Sequence, residues 1–144
     1  MKTSIRTGVW DVMRHDAMSI RQAVFVVEQG VPAEIEIDEF DPVSLHAVAY
    51  DDQAGVIGTG RLLPDGHIGR MAVAASHRNK GIGSALLRLL VDAAWARGDL
   101  TVVLHAQTHA AAFYQRMGFQ AEGDTFMEAG IPHIQMVLHK PQQA

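Results

Sequence analysis

"SHRNKGIGSALLRLL", residues 76–90, sets two cations and a pair of closely spaced glycines directly in front of an apolar helical repeat. A helix N-terminus carries N–H groups that have no partner within the helix, together with partial positive charge. Glycines at that point let the N–H groups approach a phosphate with no Cβ in the way. Arg78 and Lys80 would add charge-assisted hydrogen bonds. The stretch matches neither familiar nucleotide motif. No Gly-Lys-Ser/Thr follows at P-loop spacing, and Leu86 stands where the dinucleotide fingerprint needs its third glycine. Taken alone, the stretch reads two ways: as a phosphate cradle, or as a glycine turn that starts a helix beside two solvated cations.

Working outward, the helix is expected over Ser84–Arg97. Leu86, Leu87, Leu90, Ala93, Ala94 and Trp95 cover one apolar face, Ser84, Arg88 and Asp92 make a polar stripe, and Gly98 suits the C-cap. "LTVVLHA" (100–106) reads as a buried strand of the parallel type. "HAAAFYQRMG" (109–118) is a short helix stopped by Gly118, and Phe119–Phe126 and Ile134–His139 are the last two strands. Upstream, Leu45–Tyr50, Val56–Leu63 and Ile68–Val73 form an antiparallel meander, with turns at "DDQAG" and "PDG". Thr7–Trp10 is expected as a first short strand. A helix then runs from a Ser19-x-x-Gln22 capping box to Gly30, and Pro32–Pro42 is a loop rich in acids. The sum is one α+β domain over residues 1–144, with a mixed, mostly antiparallel sheet of six to seven strands flanked by helices.

Composition narrows the function. The 144 residues suffice for one core, and no apolar run approaches the roughly 18 residues of a membrane span. A net charge of −4 argues against a nucleic-acid binder, which would need a basic face. With no cysteine there is no disulfide, thiolate metal site or cysteine nucleophile. "MKTSIRTGVWDVM" lacks the apolar segment of a signal peptide, so a cytoplasmic location is expected, with neither membrane nor nucleic acid as partner.

"IGRMAVAASHRNKGIGSALLRLLVDAA", followed by a strand and then "AAAFYQRMGF", resembles the GNAT superfamily of acetyl-CoA-dependent N-acetyltransferases. Arg78, Asn79, Lys80, Gly81, Ile82 and Gly83 match its R/Q-x-x-G-x-G/A motif. Phe113, Tyr114, Gly118 and Phe119 match its F-Y-x-x-x-G-F motif. "RQAVFVVEQ" (21–29) and "GIPHIQM" (130–136) are similar to the ElaA-like branch, so the likeness covers essentially the whole chain. There are departures. Gln107 stands where many GNAT proteins have asparagine, although "AQ" is usual in the ElaA-like branch, and Ala129 stands where that branch often has an acid.

The resemblance implies a sheet splayed between its fourth and fifth strands, with a bulge in Ile68–Val73 that frees backbone groups. Acetyl-CoA, as cosubstrate, would lie in the opening. The backbone of Met71, Ala72 and Val73 would pair with the pantetheine amides and polarise the thioester carbonyl. The pyrophosphate would sit on the N–H groups of residues 80 to Ser84 with Arg78 alongside, and Gln107 belongs to the same cofactor-binding set. Tyr114 would give a proton to the departing CoA thiolate. A lysine-like amine has a pKa of ~10.4, so only about one in 10³ is neutral at pH 7 and a base is needed. Glu28 and His133 are the candidates for the acceptor side. The loop acids Glu34, Glu36, Asp38, Glu39 and Asp41 either line that side or form a solvated loop, and Arg21 is expected to pair with one of them at the surface. His105 and His109 have metal-like spacing but straddle a strand end and a helix start. No His-Glu-x-x-His pattern accompanies them, so no metal is expected. His46, His67 and His77 carry no readable signal.

The leading function is transfer of an acetyl group to a primary amine of a small molecule, with a homodimer among the expected states. Alternatives are a protein or peptide N-acetyltransferase and a catalytically silent acyl-CoA-binding module.

Overall fold

The computed structural model describes residues 2–33 and 37–141, and these form a single sheet. Its strands are β1 (Thr3–Gly8), β2 (Leu45–Asp51), β3 (Gly55–Leu62), β4 (His67–Val73), β5 (Thr101–Gln107), β6 (Gln120–Glu128) and β7 (Ile131–His139). Across the sheet they lie in the order β1-β2-β3-β4-β5-β7-β6. Every neighbouring pair is antiparallel except β4 and β5. The helices are α1 (Trp10–Arg21), α2 (Ile82–Ala96) and α3 (Ala111–Arg116), and α1 runs on into a π-helical stretch, Gln22–Glu28.

The strand period of two puts a core on each face of the sheet. Ala47, Ala49, Ile57, Leu62, Val102, Leu104, Ala106 and Met136 face α2, where Leu86, Leu87, Leu90 and Ala94 complete the larger cluster. Val48 points the other way, onto Trp10, Met13 and Ala17 of α1. Ile20 and Val24 continue that face onto Ala72.

The N-terminal expectations need correction. The first strand is Thr3–Gly8 rather than Thr7–Trp10, and α1 starts at Trp10, so Ser19 lies inside the helix and caps nothing. Trp10, Met13, Ala17, Ile20 and Val24 recur at intervals of three and four and bury one continuous stripe. That burial outweighs a local capping pattern, and the true N-cap, Val9, offers no side-chain bond.

"LTVVLHA" is also corrected in part. β5 is parallel to β4 only at His67↔Val103 and Ile68↔Leu104, while it pairs antiparallel with β7 along its whole length. Val102, Leu104 and Ala106 are buried, whereas His105 is exposed. The strand therefore covers a core on one face and borders an opening on the other.

Candidate functional site

Past Ile68 and Leu104 the paired strands β4 and β5 part. A second irregularity widens the gap. On β3, Thr59 and Arg61 pair with Ala72 and Gly69, so Arg70 and Met71 together oppose Gly60. Arg70 takes a φ of 50°, the left-handed conformation that accommodates this extra residue. The cleft that results has a volume of about 1010 Å³. Met71, Ala72 and Val73 form one wall, and Leu104, Gln107 and Tyr114 form the other.

The π-helical stretch supplies the rim. Its wider turn closes with the Gln29 N–H bonding to Val24 O at 3.0 Å, and Phe25, Glu28 and Gln29 reach the cleft from it. Arg78 holds Glu28 by two bonds of 2.7 Å and donates from Nε to Val73 O at 3.0 Å. The Arg78 bonds hold the Glu28 carboxyl below the usual carboxylate range. Gln107 spans the gap, donating to Gln29 Oε1 at 3.0 Å and accepting from His109 Nε2 at 2.6 Å.

The glycine turn abuts the Val73 end. Gly81, at φ 82°, is the N-cap of α2, and Asn79 before it is also left-handed at 63°. A Cβ on Gly83 would lie 3.7 Å from both Val73 and Phe113. The Ala85 N–H bonds to Gly81 O at 3.1 Å, and the N–H groups of Ile82, Gly83 and Ser84 lead the helix without a partner in its ladder. Ile82 is buried in the core and offers only its backbone, and Lys80 is exposed. His77 steadies the turn from behind. It bonds Asp51 Oδ2 at 2.8 Å through Nε2 and Ser76 Oγ at 2.8 Å through Nδ1.

Tyr114 lies in the cleft wall with Phe113 and Phe119 edge-on at 5.0 and 6.1 Å. Burial pushes its phenol up to about 12, so it keeps its proton at any physiological pH.

The far end of the cleft carries two arginines the sequence had not singled out. Arg61 bonds Asp38 at 2.6 and 2.8 Å and Asp41 at 2.8 Å, and Arg70 reaches Asp38 at 3.2 Å. Asp41 is completely buried, and Arg21 meets it at 2.8 and 3.0 Å. The expected surface pair of Arg21 is therefore an interior one, anchored by the Arg21 guanidinium over the Trp10 ring at 5.4 Å. His46 Nε2 donates to Asp41 O at 2.9 Å. Burial raises the Asp38 and Asp41 carboxyls, but the arginine bonds outweigh it and both sit below their ordinary value. Asp38 lines the cleft, Asp41 does not, and Glu34 and Glu36 lie outside the described residues. His133 lines the cleft together with His67, His105 and Glu128. The alternating exposure of β5 was the available signal for His105. His67 and Glu128 had none, because their neighbours come from distant parts of the chain. Among the described residues no group of three or more histidines and acids is arranged to hold a metal ion.

Comparisons with known proteins agree with this geometry. The uncharacterized N-acetyltransferase YjcF of Bacillus subtilis is 43% identical over 126 residues, covering 85% of this chain and 89% of its own. An acyl-CoA N-acyltransferase from Pseudomonas aeruginosa superposes with a TM-score of 0.83 at 31% identity, covering 94% of this chain and 99% of its own. Escherichia coli ElaA superposes at 0.82 with 27% identity and the same coverage, 94% and 99%. The family model described as an acetyltransferase (GNAT) domain matches residues 14–140. A splayed β4–β5 pair, a glycine turn at its end and a match over nearly the whole chain lead to one assignment: this chain belongs to the GNAT acetyltransferases, with ElaA among its relatives.

Proposed function

We propose that this acetyltransferase uses acetyl-CoA and acetylates a primary amine of a small molecule by direct attack on the thioester. The observation that carries the reading is the parting of β4 from β5 into a cleft with Tyr114 in its wall and the Gly81 turn at one end. The N–H groups of residues 80–84, with Arg78 turned from Glu28, would take the pyrophosphate. The bulged backbone of Met71, Ala72 and Val73 would align the pantetheine arm, and Gln107 would exchange its bond to Gln29 for one to the cofactor. An N–H in the bulge would stabilise the oxyanion as the C–N bond forms. As the C–S bond breaks, Tyr114 would protonate the thiolate, help of a kind typically worth about 10²–10⁴-fold. The acceptor would enter from the end where His133 and Asp38 stand. A rim of arginines, acids and histidines suits a small polar amine.

Two measurements test this. Acetyl-CoA at millimolar concentration is expected to raise the melting temperature. A panel of small amines is then screened for release of free thiol. No thermal shift would sink the cofactor reading. A shift with no thiol release from any amine would make the protein a binder rather than a catalyst.

A further inference from the structure

In the cleft that Tyr114 also lines, two imidazoles from two strands meet one carboxylate from a third. Glu128, at the end of β6, has Oε1 at 3.1 Å from His105 Nδ1 of β5 and Oε2 at 3.5 Å from His133 Nε2 of β7. Their meeting depends on sheet irregularity. Between Glu122↔Gln135 and Phe126↔His133, β6 holds more residues than β7, and the tight turn at Ala129 and Gly130 (φ 51° and 76°) brings Glu128 beside Ile131. His133 also donates from Nδ1 to Ile131 O at 2.7 Å.

We propose that His105 is the general base of the transfer and that Glu128 is its positioning residue; this rests on the acetyl-CoA reading above. The hydrogen bonds decide the proton positions. A carbonyl oxygen only accepts, so His133 Nδ1 carries a proton. A carboxylate only accepts, so His105 Nδ1 carries one also, and the Nε2 of a neutral His105 holds a free lone pair. Both histidines line the cleft, but His133 is only 7% exposed, whereas His105 keeps about a third of its side chain open. Phe126 packs edge-on to the His105 ring at 5.1 Å, and its other neighbour ring, His67, stands at 5.7 Å.

Acidic groups stand on either side of His105. Glu128 is in contact, and Glu122 lies along the same face beyond Gln135, which bonds it at 3.0 Å. From the β4 side His67 faces it, with Asp65 3.0 Å from His67 Nδ1. The cations of the cleft, Arg61 and Arg70, are tied to Asp38.

The proton account closes. The acceptor ammonium gives one proton to His105 Nε2. The freed nitrogen lone pair attacks the thioester carbon, and the C=O electron pair moves to oxygen. Collapse of that intermediate breaks the C–S bond, and the thiolate takes the Tyr114 proton. The second N–H proton of the new amide restores Tyr114. One proton per turnover leaves from His105 to water.

The first test needs no turnover. Long-range ¹H–¹⁵N spectra of the imidazoles in the whole protein are expected to show neutral His105 protonated at Nδ1. Glu128→Ala, which removes the acceptor of that proton, is expected to move neutral His105 toward the Nε2–H tautomer. A neutral wild-type His105 protonated at Nε2, or a tautomer indifferent to Glu128→Ala, overturns the proposal. The second test is thiol release from acetyl-CoA with the small-amine panel. His105→Gln and His105→Asn are expected to lose about 10²–10⁴-fold in kcat near neutrality, to regain rate as pH rises, and to keep the acetyl-CoA thermal shift. Wild-type turnover with both variants unimpaired overturns this inference alone. A wild type that releases no thiol with any amine overturns the proposed function, and this inference with it.

Discussion

Arg78 grips Glu28 with both ends of its guanidinium, Nη1 on Oε2 and Nη2 on Oε1, each at 2.7 Å. In the proposed function the same arginine would take the pyrophosphate, so the carboxylate of Glu28 and the cofactor would compete for one cation. The pair is exposed, and breaking such a pair costs little, roughly 0.2–1 kcal/mol. Glu28→Gln is therefore expected to tighten coenzyme A binding by roughly two- to fivefold. Arg78→Ala is expected to weaken it about tenfold, the loss of one charge-assisted contact. Isothermal titration reads both, and a Glu28→Gln variant that binds more weakly than wild type would refute the competition.

Tyr114 keeps its proton because burial lifts its phenol to about 12. Tyr114→Phe removes the proton donor and leaves the ring packing against Phe113 and Phe119. Thiol release is expected to fall about 10²-fold or more, with coenzyme A affinity within twofold of wild type. The check is kcat beside a directly measured dissociation constant.

Asp41 satisfies two arginines in an interior with no access to water. Asp41→Asn removes the buried negative charge that Arg21 and Arg61 share, at a cost of about 3–5 kcal/mol, read from urea unfolding. The wild-type pair also has a pH signature. The folded carboxyl lies below its ordinary value, so its stabilisation is complete above the unfolded value near pH 4 and is lost as pH falls below it.

Asp51 ties the glycine turn to the end of β2. The Gln53 N–H and then His77 hold its carboxyl down to about 2. Its contribution is present above about pH 4 and fades as pH falls toward 2. Asp51→Asn is expected to raise the pH midpoint of acid unfolding followed by circular dichroism. It is also expected to weaken coenzyme A binding, since His77 immediately precedes Arg78. Unchanged cofactor affinity would confine the His77 tie to stability.

Gly66 turns the chain into β4 at φ 93°, and a Cβ there would stand 2.8 Å from Thr101 O. Its own carbonyl accepts the Val103 N–H at 3.1 Å, which fastens the closed end of the β4–β5 pair. Gly66→Ala combines a left-handed backbone with a clash against main chain, and about 1–3 kcal/mol of stability is expected to go. Denaturant unfolding of the purified variant measures it.

What could be read from the sequence was what neighbouring residues decide among themselves. Arg78 to Ser84 form one turn and Phe113 to Phe119 one short helix, so their spacing carries their geometry. The apolar stripe of α2 and the alternation of β5 are local in the same sense. The start of α1 was not legible, because Ser19-x-x-Gln22 imitates a helix start while the burial that places the start at Trp10 comes from Val48, far along the chain. Distance in sequence likewise hid the Arg21–Asp41–Arg61 cluster and the meeting of His105, Glu128 and His133. A carboxylate becomes a partner only when the sheet register and the bulge in β6 bring it within about 3 Å of an imidazole. The sequence alone determined the turn expected to receive the acetyl donor, because helix termini and glycine turns are short-range devices. Tertiary structure alone decided which charges stand together at the proposed acceptor end of the cleft, because only strand pairing across long loops brings those residues into contact.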